Sequence, residues 1–584
     1  MKTVIIALNS KYIHSALAPW YLKENCTPDC GEVKVLEFSI NESTDFVLES
    51  IYEEKCDIAA FSCYIWNISE VMKIADNLKS ILPKVKIILG GPEVSFNAIE
   101  IMQQNAGIDF ILSGEGEQTF RQLLSSLVNQ TMEYESIKSL TYRDGEHIVS
   151  SERYAVTEDL NMIRSPYSEE MFLTAGNKIV YYESSRGCPF DCSYCLSSTF
   201  KGVRYLSLER VKADILSFIK AGTTMVKFVD RTFNCNLDRA KQIISFIIDN
   251  AGATHFHFEA AADLFDEELL SILLKAPAGL IQFEVGIQTT NNDTIKAVNR
   301  KTRLDEVFSK VQKLNSFGNI HLHLDLIVGL PYEDYVSFRQ SFNDVYDLKP
   351  QQLQVGFLKL LKGSRIRTEA DKYGYKFRNY PPYEVLSNDY LSYEEISRLK
   401  NIEDMVERFF NSGRFNKTVD YLIKGFFASS FDFYEKLSAY FKEYRYFERS
   451  LSSRDLYTIM LDFTKACCPD IDLKVVNELL KFDFLVSNNT NNLPTGVTRN
   501  IEAGFKEKCF EFLKTGEYIK EYIPHFEGIP AKQIYNKVHF ERFLFDVTKD
   551  CIKEDSIVVL FDYTNNNITG HFSFSKVPII DEKL

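Results

Sequence analysis

Three cysteines with a short, regular spacing are the residues of this chain best suited to metal chemistry. They are Cys188, Cys192 and Cys195, in the segment Arg-Gly-Cys-Pro-Phe-Asp-Cys-Ser-Tyr-Cys. A cubane iron-sulfur cluster ordinarily takes four thiolates, so a loop with three leaves one iron open to a chelating small molecule. A structural zinc loop and a disulfide pair are the alternatives, but zinc favours a fourth Cys or His at matching spacing, which the neighbouring sequence lacks. The spacing therefore predicts a 4Fe-4S cluster with one open iron.

Composition indicates a large protein of a reducing compartment. The chain has 584 residues, 45% of them hydrophobic, a net charge of -14, and 12 cysteines without the spacing of a disulfide framework. This length predicts several domains, and scattered cysteines in an acidic chain of this size are typical of cytoplasmic proteins. No apolar run has the length of a membrane span or the pattern of a signal peptide. The acidic balance argues against a broad nucleic-acid-binding surface, so we expect a cytoplasmic protein without a membrane or nucleic-acid partner.

The first 135 residues alternate short apolar strands with amphipathic helices. Strands are predicted at 3–8, 33–40, 58–64, 86–90 and 108–113, with helices between them. This alternation predicts an α/β domain with a doubly wound, Rossmann-like parallel sheet of the flavodoxin type. Ligands of such sheets bind beyond the carboxyl ends of the strands. The turns at that edge are therefore the candidate binding elements.

Three turns at the predicted carboxyl ends of these strands carry glycine or polar residues. Glycine lets the backbone approach a large flat ligand because no Cβ intervenes. Generic Rossmann-like domains have glycine turns as well, so this pattern alone also fits a purely structural role. The candidate binding residues are Ser62, Tyr64, Trp66 and Asn67 in the first turn, Gly90, Gly91, Pro92 and Glu93 in the second, and Gly114, Glu115 and Gly116 in the third.

A second alternation of strands and helices begins at residue 178, after a linker with a predicted hairpin at 136–177. Six strand-helix units between 178 and 370 predict a partial (β/α)6 barrel of the TIM type, whose active site lies at the carboxyl ends of the strands. The cysteine loop follows the first of these strands and so falls at this rim. Residues 371–584 lack the alternation and predict a mainly helical C-terminal domain, whose many aromatic residues fit a helical core better than a substrate cleft.

The order of these motifs carries a family resemblance. Ser-x-x-x-Trp-Asn, Leu-Gly-Gly-Pro-Glu and Ser-Gly-Glu-Gly-Glu turns stand upstream of CxxxCxxC, with Tyr194 before its last cysteine. This arrangement resembles the cobalamin-binding radical S-adenosylmethionine (SAM) protein family. The resemblance implies that the open iron binds the amino and carboxylate groups of SAM, that an electron from the cluster cleaves SAM to a 5'-deoxyadenosyl radical, and that the three turns hold cobalamin.

The expected environment of cobalt also follows from this resemblance. Cobalamin domains of the methionine synthase type supply a histidine through Asp-x-His-x-x-Gly, and the sequence contains no such motif. We therefore expect cobalamin to bind without a protein imidazole ligand, with Tyr64, Ile65 or Trp66 near its lower face. The alternative for Trp66 is a core anchor, a common role of aromatic residues.

The resemblance further implies residues that hold SAM at the ends of the barrel strands. Each of them could equally be a helix cap or part of a rim salt bridge. The candidates are Asp230 for the amino group, Glu259 and Gln288 for the ribose or the carboxylate, Gly329 beside the adenine, and Tyr194 next to the cluster.

Four histidines alternate along two predicted strands of the barrel. They are His255 and His257 on one strand and His321 and His323 on another. Each pair projects to one face of its strand. Without a partner motif we interpret them as hydrogen-bonded core residues rather than metal ligands.

Together these features favour an enzyme that transfers a methyl group from cobalamin to an unactivated carbon. A radical rearrangement or oxidation that uses cobalt without methyl transfer fits the same residues. A methylthiotransferase acting on RNA is a further alternative, although Cys26 and Cys30 do not lie at successive strand ends as its second cluster requires. A non-enzymatic cobalamin sensor would have no use for the cysteine loop. The resemblance implies an external electron donor of the flavodoxin or ferredoxin type, whereas the substrate and the role of the C-terminal extension cannot be derived from the sequence.

Overall fold

A computed structural model describes residues 1–131, 133–151, 156–199, 202–490, 492–500, 502–549, 552–566 and 571–578. The chain divides into two compact units. The first comprises residues 1–338 and 356–393, and the second comprises residues 339–355 and 394–584. None of the helices described has both the length and the apolar character needed to cross a membrane.

The N-terminal part of the first unit is a seven-stranded sheet of order β2-β1-β3-β4-β5-β6-β7. The first five strands are parallel, in the 2-1-3-4-5 order of flavodoxin-like folds, which confirms the predicted fold class. The strands are β1 Lys2–Asn9, β2 Glu32–Ser39, β3 Ile58–Ser62, β4 Lys86–Gly90, β5 Phe110–Leu112, β6 Leu140–Asp144 and β7 His147–Ser150. The helices are α1 Ala18–Glu24, α2 Thr44–Glu53, α3 Ile68–Ile81, α4 Pro92–Ser95, α5 Ala98–Gln104 and α6 Glu117–Asn129.

The hairpin β6–β7 differs from the prediction of a separate linker after residue 135. Strand β6 pairs antiparallel with β5, so the hairpin extends the first sheet. Leu140 and Tyr142 are buried on it. Their apolar side chains gain more from the edge of the sheet than from solvent, which explains why the sheet continues to residue 150.

The predicted partial barrel comes next in the chain; most of it belongs to the first unit, whereas residues 339–355 belong to the second. Its sheet has six strands in the order β15-β14-β13-β12-β11-β8, and a separate two-stranded hairpin, β9–β10, carries the first cysteine. The strands are β8 Val180–Tyr182, β9 Ser185–Cys188, β10 Gly202–Tyr205, β11 Met225–Phe228, β12 His255–Glu259, β13 Ile281–Gln288, β14 His321–Val328 and β15 Gln352–Phe357. The helices are α7 Glu169–Ala175, α8 Leu208–Lys220, α9 Leu237–Asn250, α10 Glu267–Leu273, α11 Asn292–Ala297, α12 Leu304–Ser316 and α13 Tyr335–Tyr346.

A short irregular segment with one helix and one hairpin follows the barrel and belongs to the first unit. Its elements are α14 Arg365–Thr368, β16 Lys376–Phe377 and β17 Val385–Ser387. After residue 355 the first unit therefore continues to residue 393, and the domain boundary at 370 stays a prediction.

The second unit is mainly helical and ends in a three-stranded antiparallel sheet. Its helices are α15 Tyr393–Val406, α16 Asn416–Phe426, α17 Ser430–Glu443, α18 Ser453–Cys467, α19 Leu473–Ser487, α20 Phe505–Lys514, α21 Gly516–Tyr522 and α22 Ala531–Tyr535, and its strands are β18 Val538–Phe543, β19 Ile557–Asn566 and β20 Phe572–Val577. Lys481 on α19 is fully buried, 3.1 Å from Glu478 and 3.7 Å from Glu541 on β18. This buried ion network fixes α19 against the sheet.

Candidate functional site

A cavity of about 440 Å³ lies in the first unit, where the carboxyl edge of the N-terminal sheet faces the cysteine-bearing hairpin of the barrel. Its walls combine glycine turns, aromatic rings and charged side chains. From the predicted turns, the lining residues are Ser62, Tyr64, Gly90, Gly91, Pro92, Gly114, Glu115 and Gly116. From the barrel, they include Glu183, Ser185, Arg186, Gly187, Leu196, Arg204 and Arg231.

In the first turn, only part of the predicted set reaches the cavity. Ser62 and Tyr64 line it, whereas Trp66 and Asn67 do not. The buried Asn67 amide donates to the carbonyls of Leu8 at 3.1 Å and Ser62 at 2.9 Å, and its oxygen accepts from the backbone of Tyr64 at 2.7 Å. Trp66 stacks on Tyr64 with ring centroids 4.4 Å apart. Both residues therefore shape the turn and position the Tyr64 ring.

The second turn requires glycine at Gly91. Its φ is +119°, and a Cβ there would lie 2.5 Å from the carbonyl oxygen of Cys63. Gly90 and Pro92 line the cavity, but the side chain of Glu93 is buried behind the turn. Its carboxylate accepts a hydrogen bond from the Tyr383 hydroxyl at 2.7 Å. Glu93 thus supports the turn from behind.

An ion pair connects the third turn of the N-terminal sheet with the cysteine-bearing hairpin of the barrel. Glu115 accepts from Arg204 on β10 at 2.5 Å and from the backbone of Thr157 at 2.8 Å. Burial disfavours the charged form of Glu115, but the Arg204 hydrogen bond and the nearby Arg186 charge outweigh it and lower the pKa of Glu115. Gly116 approaches Leu22 so closely that a Cβ would lie 3.1 Å from its side chain. The turn is thereby held against both α1 and the barrel hairpin.

Arg186, two residues before the first cysteine, is the centre of this network. Its guanidinium lies 2.5 Å from Glu117, 2.8 Å from Glu183 and 3.5 Å from Glu115. Burial raises the pKa of Glu183, with Arg186 opposing the shift. The sequence motif contains Arg186, but its buried partners could not be identified, because they are brought together only by the packing of α6 on the hairpin. Arg186 and Arg204 are site residues that the sequence patterns do not assign, whereas Glu117 belongs to the predicted Ser-Gly-Glu-Gly-Glu turn.

The cysteine loop runs from the end of β9 into a short helical turn at Leu196–Thr199. Gly187 has a φ of +100°, and a Cβ there would lie 2.1 Å from the carbonyl oxygen of Gly202 on the paired strand. At the other end, the backbone N–H of Ser193 donates to Val298 at 2.9 Å, and the carbonyl of Ser193 accepts from Ile366 at 2.9 Å. These contacts fix the backbone that carries the three thiols.

The three thiols share this loop, with Cys192 buried and Cys188 and Cys195 partly exposed. Burial raises the pKa of Cys192, and the Arg300 guanidinium 3.9 Å from its sulfur opposes the shift. In the described part of the chain, no three Cys, His, Asp or Glu side chains converge around a single ion. A cubane cluster binds each thiolate through a different iron, so its ligands need not converge on one point.

Asp230, the candidate for the amino group of SAM, lies just after β11 in a buried position. Its carboxylate is fully buried and accepts from the backbone of Ser184 at 3.0 Å, from the Ser184 hydroxyl at 2.7 Å and from the Ser185 hydroxyl. Burial raises the pKa of Asp230, and these hydrogen bonds oppose the shift. The structure gives Asp230 a positioning role for the start of the cysteine hairpin, and a contact with SAM stays a prediction.

The other predicted SAM residues lie near strand ends. Glu259 ends β12, and burial raises its pKa to about 7, with Arg231 opposing the shift. Gln288 ends β13 with a φ of +73°, and its buried amide oxygen has no hydrogen-bond partner in the described residues. Gly329 follows β14 with a φ of +92°. The Tyr194 hydroxyl accepts a hydrogen bond from the Arg300 guanidinium at 3.1 Å, beside Cys192. Their contacts with SAM remain predictions.

His257, one of the four barrel histidines, belongs to a polar cluster with Lys227 and Glu284. His257 and Lys227 each lie 3.0 Å from Glu284. Burial disfavours the charged form of Glu284, but the hydrogen bonds from His257 and Lys227 outweigh it and lower the pKa of Glu284. His323 is buried, which lowers its pKa to about 4. His255 is hydrogen-bonded to the carbonyl of Gly279 at 2.8 Å.

Comparison with known families divides the chain into three matched regions. Residues 3–124 match the B12 binding domain, and residues 182–345 match the radical SAM superfamily. Residues 371–561 match DUF4080, a protein family of unknown function. The cavity thus lies between the first two matched regions, and the three cysteines fall within the second.

Curated proteins with related sequences match a little more than half of this chain. The chain is 25% identical to the cobalamin-dependent radical SAM methyltransferase TokK of Streptomyces tokunonensis, over 60% of this chain and 53% of TokK. It is 23% identical to the anaerobic magnesium-protoporphyrin IX monomethyl ester cyclase of Cereibacter sphaeroides, over 55% of this chain and 56% of the cyclase. The chain therefore spans about half the length of these curated relatives.

Among solved structures, the fold is similar to that of the cobalamin-dependent SAM radical enzyme OxsB with aqua-cobalamin bound. The TM-score is 0.58 at 13% identity, and the match covers 84% of this chain and 81% of OxsB. Consecutive matches to the B12 binding domain and the radical SAM superfamily make this chain similar to cobalamin-binding radical SAM proteins over these two regions.

Proposed function

We propose that this protein binds a 4Fe-4S cluster, SAM and cobalamin and uses them in one reaction. Cys188, Cys192 and Cys195 would hold the cluster, and the glycine turns after β3, β4 and β5 would hold the corrin. This proposal rests on one observation: the same cavity is lined by these turns and by the hairpin that begins the cysteine loop. Gly91 and its neighbours leave room for a flat ligand, and the donor set of three thiolates suits a cluster with an open iron.

The reaction we propose is transfer of a methyl group to an unactivated carbon. Together the bound cofactors would supply a primary carbon radical and a transferable methyl group. The residues of this chain would contribute orientation and exclusion of water. Tyr64 would lie against the corrin, and the Arg186 network would keep the corrin turns at a fixed distance from the cysteine loop. Glu259, Gln288 and Gly329 would hold SAM at the strand ends.

The test is product analysis of anaerobically reconstituted protein. Mass spectrometry would follow 5'-deoxyadenosine and S-adenosylhomocysteine, with reductant and cell extract, with and without hydroxocobalamin. We expect both products to rise together only when cobalamin is present. Cys192→Ala should abolish both, whereas the matched control Cys467→Ala, in the second unit, should abolish neither. A full cluster that binds SAM but yields neither product in extract would contradict the proposal.

A second candidate reaction uses both cofactors without methyl transfer. The cyclase relative supports it, because its match covers a similar share of this chain as that of the methyltransferase. In that case 5'-deoxyadenosine would rise without S-adenosylhomocysteine. Either reaction needs an external electron donor, for which we propose a flavodoxin or ferredoxin, and a small substrate in the reducing cytoplasm.

A further inference from the structure

The segment between the barrel and the second unit contacts all three cofactor-binding elements of the first unit. This connecting segment comprises residues 358–391, and its tyrosine-rich part begins the region that matches the family of unknown function. We infer that the connecting segment sets the geometry of the cobalamin turn and of the SAM end of the barrel, with Tyr383 and Tyr375 as separate positioning residues. The inference rests on the proposed cofactors.

The contact with the cobalamin turn is made by Tyr383 and Lys362. The buried Tyr383 hydroxyl donates to the Glu93 carboxylate at 2.7 Å. Lys362 donates to the Glu93 carbonyl at 3.2 Å and to the Asn97 side chain at 3.4 Å. Gly363 packs so closely on Phe96 that a Cβ would lie 2.3 Å from its ring. The segment therefore contacts α4 near its start, at Glu93, and just after its end, at Phe96.

Helix α4 connects the contact at Glu93 with the wall of the cavity. Pro92, Ser95 and Phe96, in and just after this helix, line the cavity. The Ser95 hydroxyl donates to the Gly91 carbonyl at 2.8 Å and accepts from the Gly114 backbone at 3.2 Å. A shift of Glu93 would therefore move the second and third glycine turns together. This is how Tyr383, which does not line the cavity, acts on the corrin site.

Tyr383 is itself held in a fixed orientation. The Arg367 guanidinium lies 4.8 Å from the centre of its ring, and the Lys362 ammonium lies 5.7 Å from it. The carbonyl of Tyr383 accepts from the backbone of Leu360 at 3.0 Å. Because two cations contact this ring and a backbone hydrogen bond holds its residue, the ring has little freedom to relax and can transmit its position to Glu93.

The same segment contacts the barrel through Tyr375 and Asn388. Both side chains donate to the carbonyl of Gly329, at 2.8 Å and 3.0 Å. Val385 fills the space beside Gly329, where a Cβ would lie 2.8 Å from its side chain. Gly329 is the predicted adenine contact at the end of β14, so these residues fix the backbone on which SAM would lie.

The cysteine loop is the third element in contact. Ile366 donates its backbone N–H to the Ser193 carbonyl at 2.9 Å, between the second and third cysteines. Arg365 lies 3.5 Å from Asp191, which precedes Cys192. The connecting segment thus contacts the cobalamin turn, the cluster loop and the SAM end of the barrel, and it fixes their positions relative to one another.

The test separates the two tyrosines in the full-length reconstituted protein. Tyr383→Phe removes only the hydroxyl beside Glu93, and we expect about a tenfold weaker Kd for hydroxocobalamin with unchanged iron content and SAM binding. Tyr375→Phe should weaken SAM binding several-fold and leave the hydroxocobalamin Kd within twofold. Tyr380→Phe, at a tyrosine of the same segment with 59% exposure, is the matched control and should change neither.

Spectra and a second route to the same contact distinguish positioning from loss of folding. The electron paramagnetic resonance spectrum of reduced cobalamin should change in Tyr383→Phe and not in Tyr375→Phe, at equal thermal midpoints. If Tyr383→Phe does not fold, Lys362→Met tests the same turn and should weaken hydroxocobalamin binding alone. Unchanged hydroxocobalamin binding in Tyr383→Phe and in Lys362→Met would overturn the inference. Equal effects of Tyr383→Phe and Tyr375→Phe on the binding of hydroxocobalamin and of SAM would also overturn it. A wild-type protein that binds no hydroxocobalamin would instead overturn the proposed function, and the inference with it.

Discussion

The Arg186 guanidinium on β9 lies 2.5 Å from the Glu117 carboxylate at the start of α6. This ion pair joins the strand that leads into the cysteine loop to the helix that follows the third glycine turn. Both side chains are nearly buried, with exposures of 12% and 7%. Breaking a buried ion pair by removing one partner costs about 3–5 kcal/mol, because the other charge is left unpaired.

Arg186→Gln should therefore destabilise the first unit and separate the two cofactor sites. We expect a lower midpoint of urea unfolding, corresponding to about 3 kcal/mol, together with loss of cobalamin during gel filtration. Arg398→Gln is the matched control, because Arg398 is exposed and pairs with Glu394 one helical turn away. Such a surface pair contributes about 0–1 kcal/mol. Equal unfolding midpoints for the two variants would contradict the role of Arg186.

Gly91→Ala should abolish high-affinity binding of cobalamin. The φ of +119° and ψ of 175° belong to a region that is essentially restricted to glycine, and the new methyl group would lie 2.5 Å from the Cys63 carbonyl. The turn must move, and with it one wall of the cavity. We expect the Kd for hydroxocobalamin, measured by visible absorption, to rise at least about tenfold, which corresponds to roughly 1.4 kcal/mol, within the range of backbone strain.

Gly425→Ala is the control for this change, since a Cβ there meets no atom within 4 Å. Gly425 lies inside α16, where alanine is the better helix former. The control should bind hydroxocobalamin like the wild type and be slightly more stable. If Gly91→Ala also bound like the wild type, the second turn would not form the corrin site.

Sequence reasoning succeeded where the chemistry is local in the chain. The cysteine spacing, the glycine turns and the strand alternation can each be read from a few consecutive residues. It does not extend to distant partners: Glu93 belongs to the second predicted turn, and nothing near it in the sequence indicates that its carboxylate is bound by Tyr383, 290 residues further along the chain. The assignment of Asp230 to SAM, which stays a prediction, rests on its place after a strand, and no local pattern indicates its hydrogen bonds with Ser184 and Ser185. The partners of Arg186 were missed for the same reason.

The pH dependence of stability should report on Glu259. Burial raises its pKa in the folded protein to about 7 from 4.5, so the folded state holds a proton that the unfolded state has released between these pH values. Stability from this group is therefore highest below about pH 4.5 and falls as the pH rises to about 7, by roughly 3 kcal/mol at most. Glu259→Gln, which cannot ionise, should lose less stability than the wild type over this interval. Thermal midpoints at pH 5 and pH 8 test this, and parallel curves for the two proteins would exclude it.

Arg300 should tune the reduction potential of the cluster. Its guanidinium lies 3.9 Å from the Cys192 sulfur and 3.1 Å from the Tyr194 hydroxyl, and it also donates to the Gly286 carbonyl. A positive charge and a hydrogen bond next to a ligand sulfur stabilise the reduced, more negative cluster. Arg300→Gln keeps a hydrogen-bonding side chain but removes the charge, so the midpoint potential should fall by about 60 mV, the equivalent of a tenfold change for one electron.

A redox titration followed by electron paramagnetic resonance measures this potential directly. Lys296→Gln is a suitable control, because Lys296 is 77% exposed and pairs with Asp293 on the surface of α11. It should leave the potential unchanged. The Arg300 variant must also keep its iron content, since a lower potential in a protein with an incomplete cluster would say nothing about charge. An unchanged potential at full iron content would mean that the Arg300 charge is screened from the cluster, and that its function is to hold the Gly286 carbonyl.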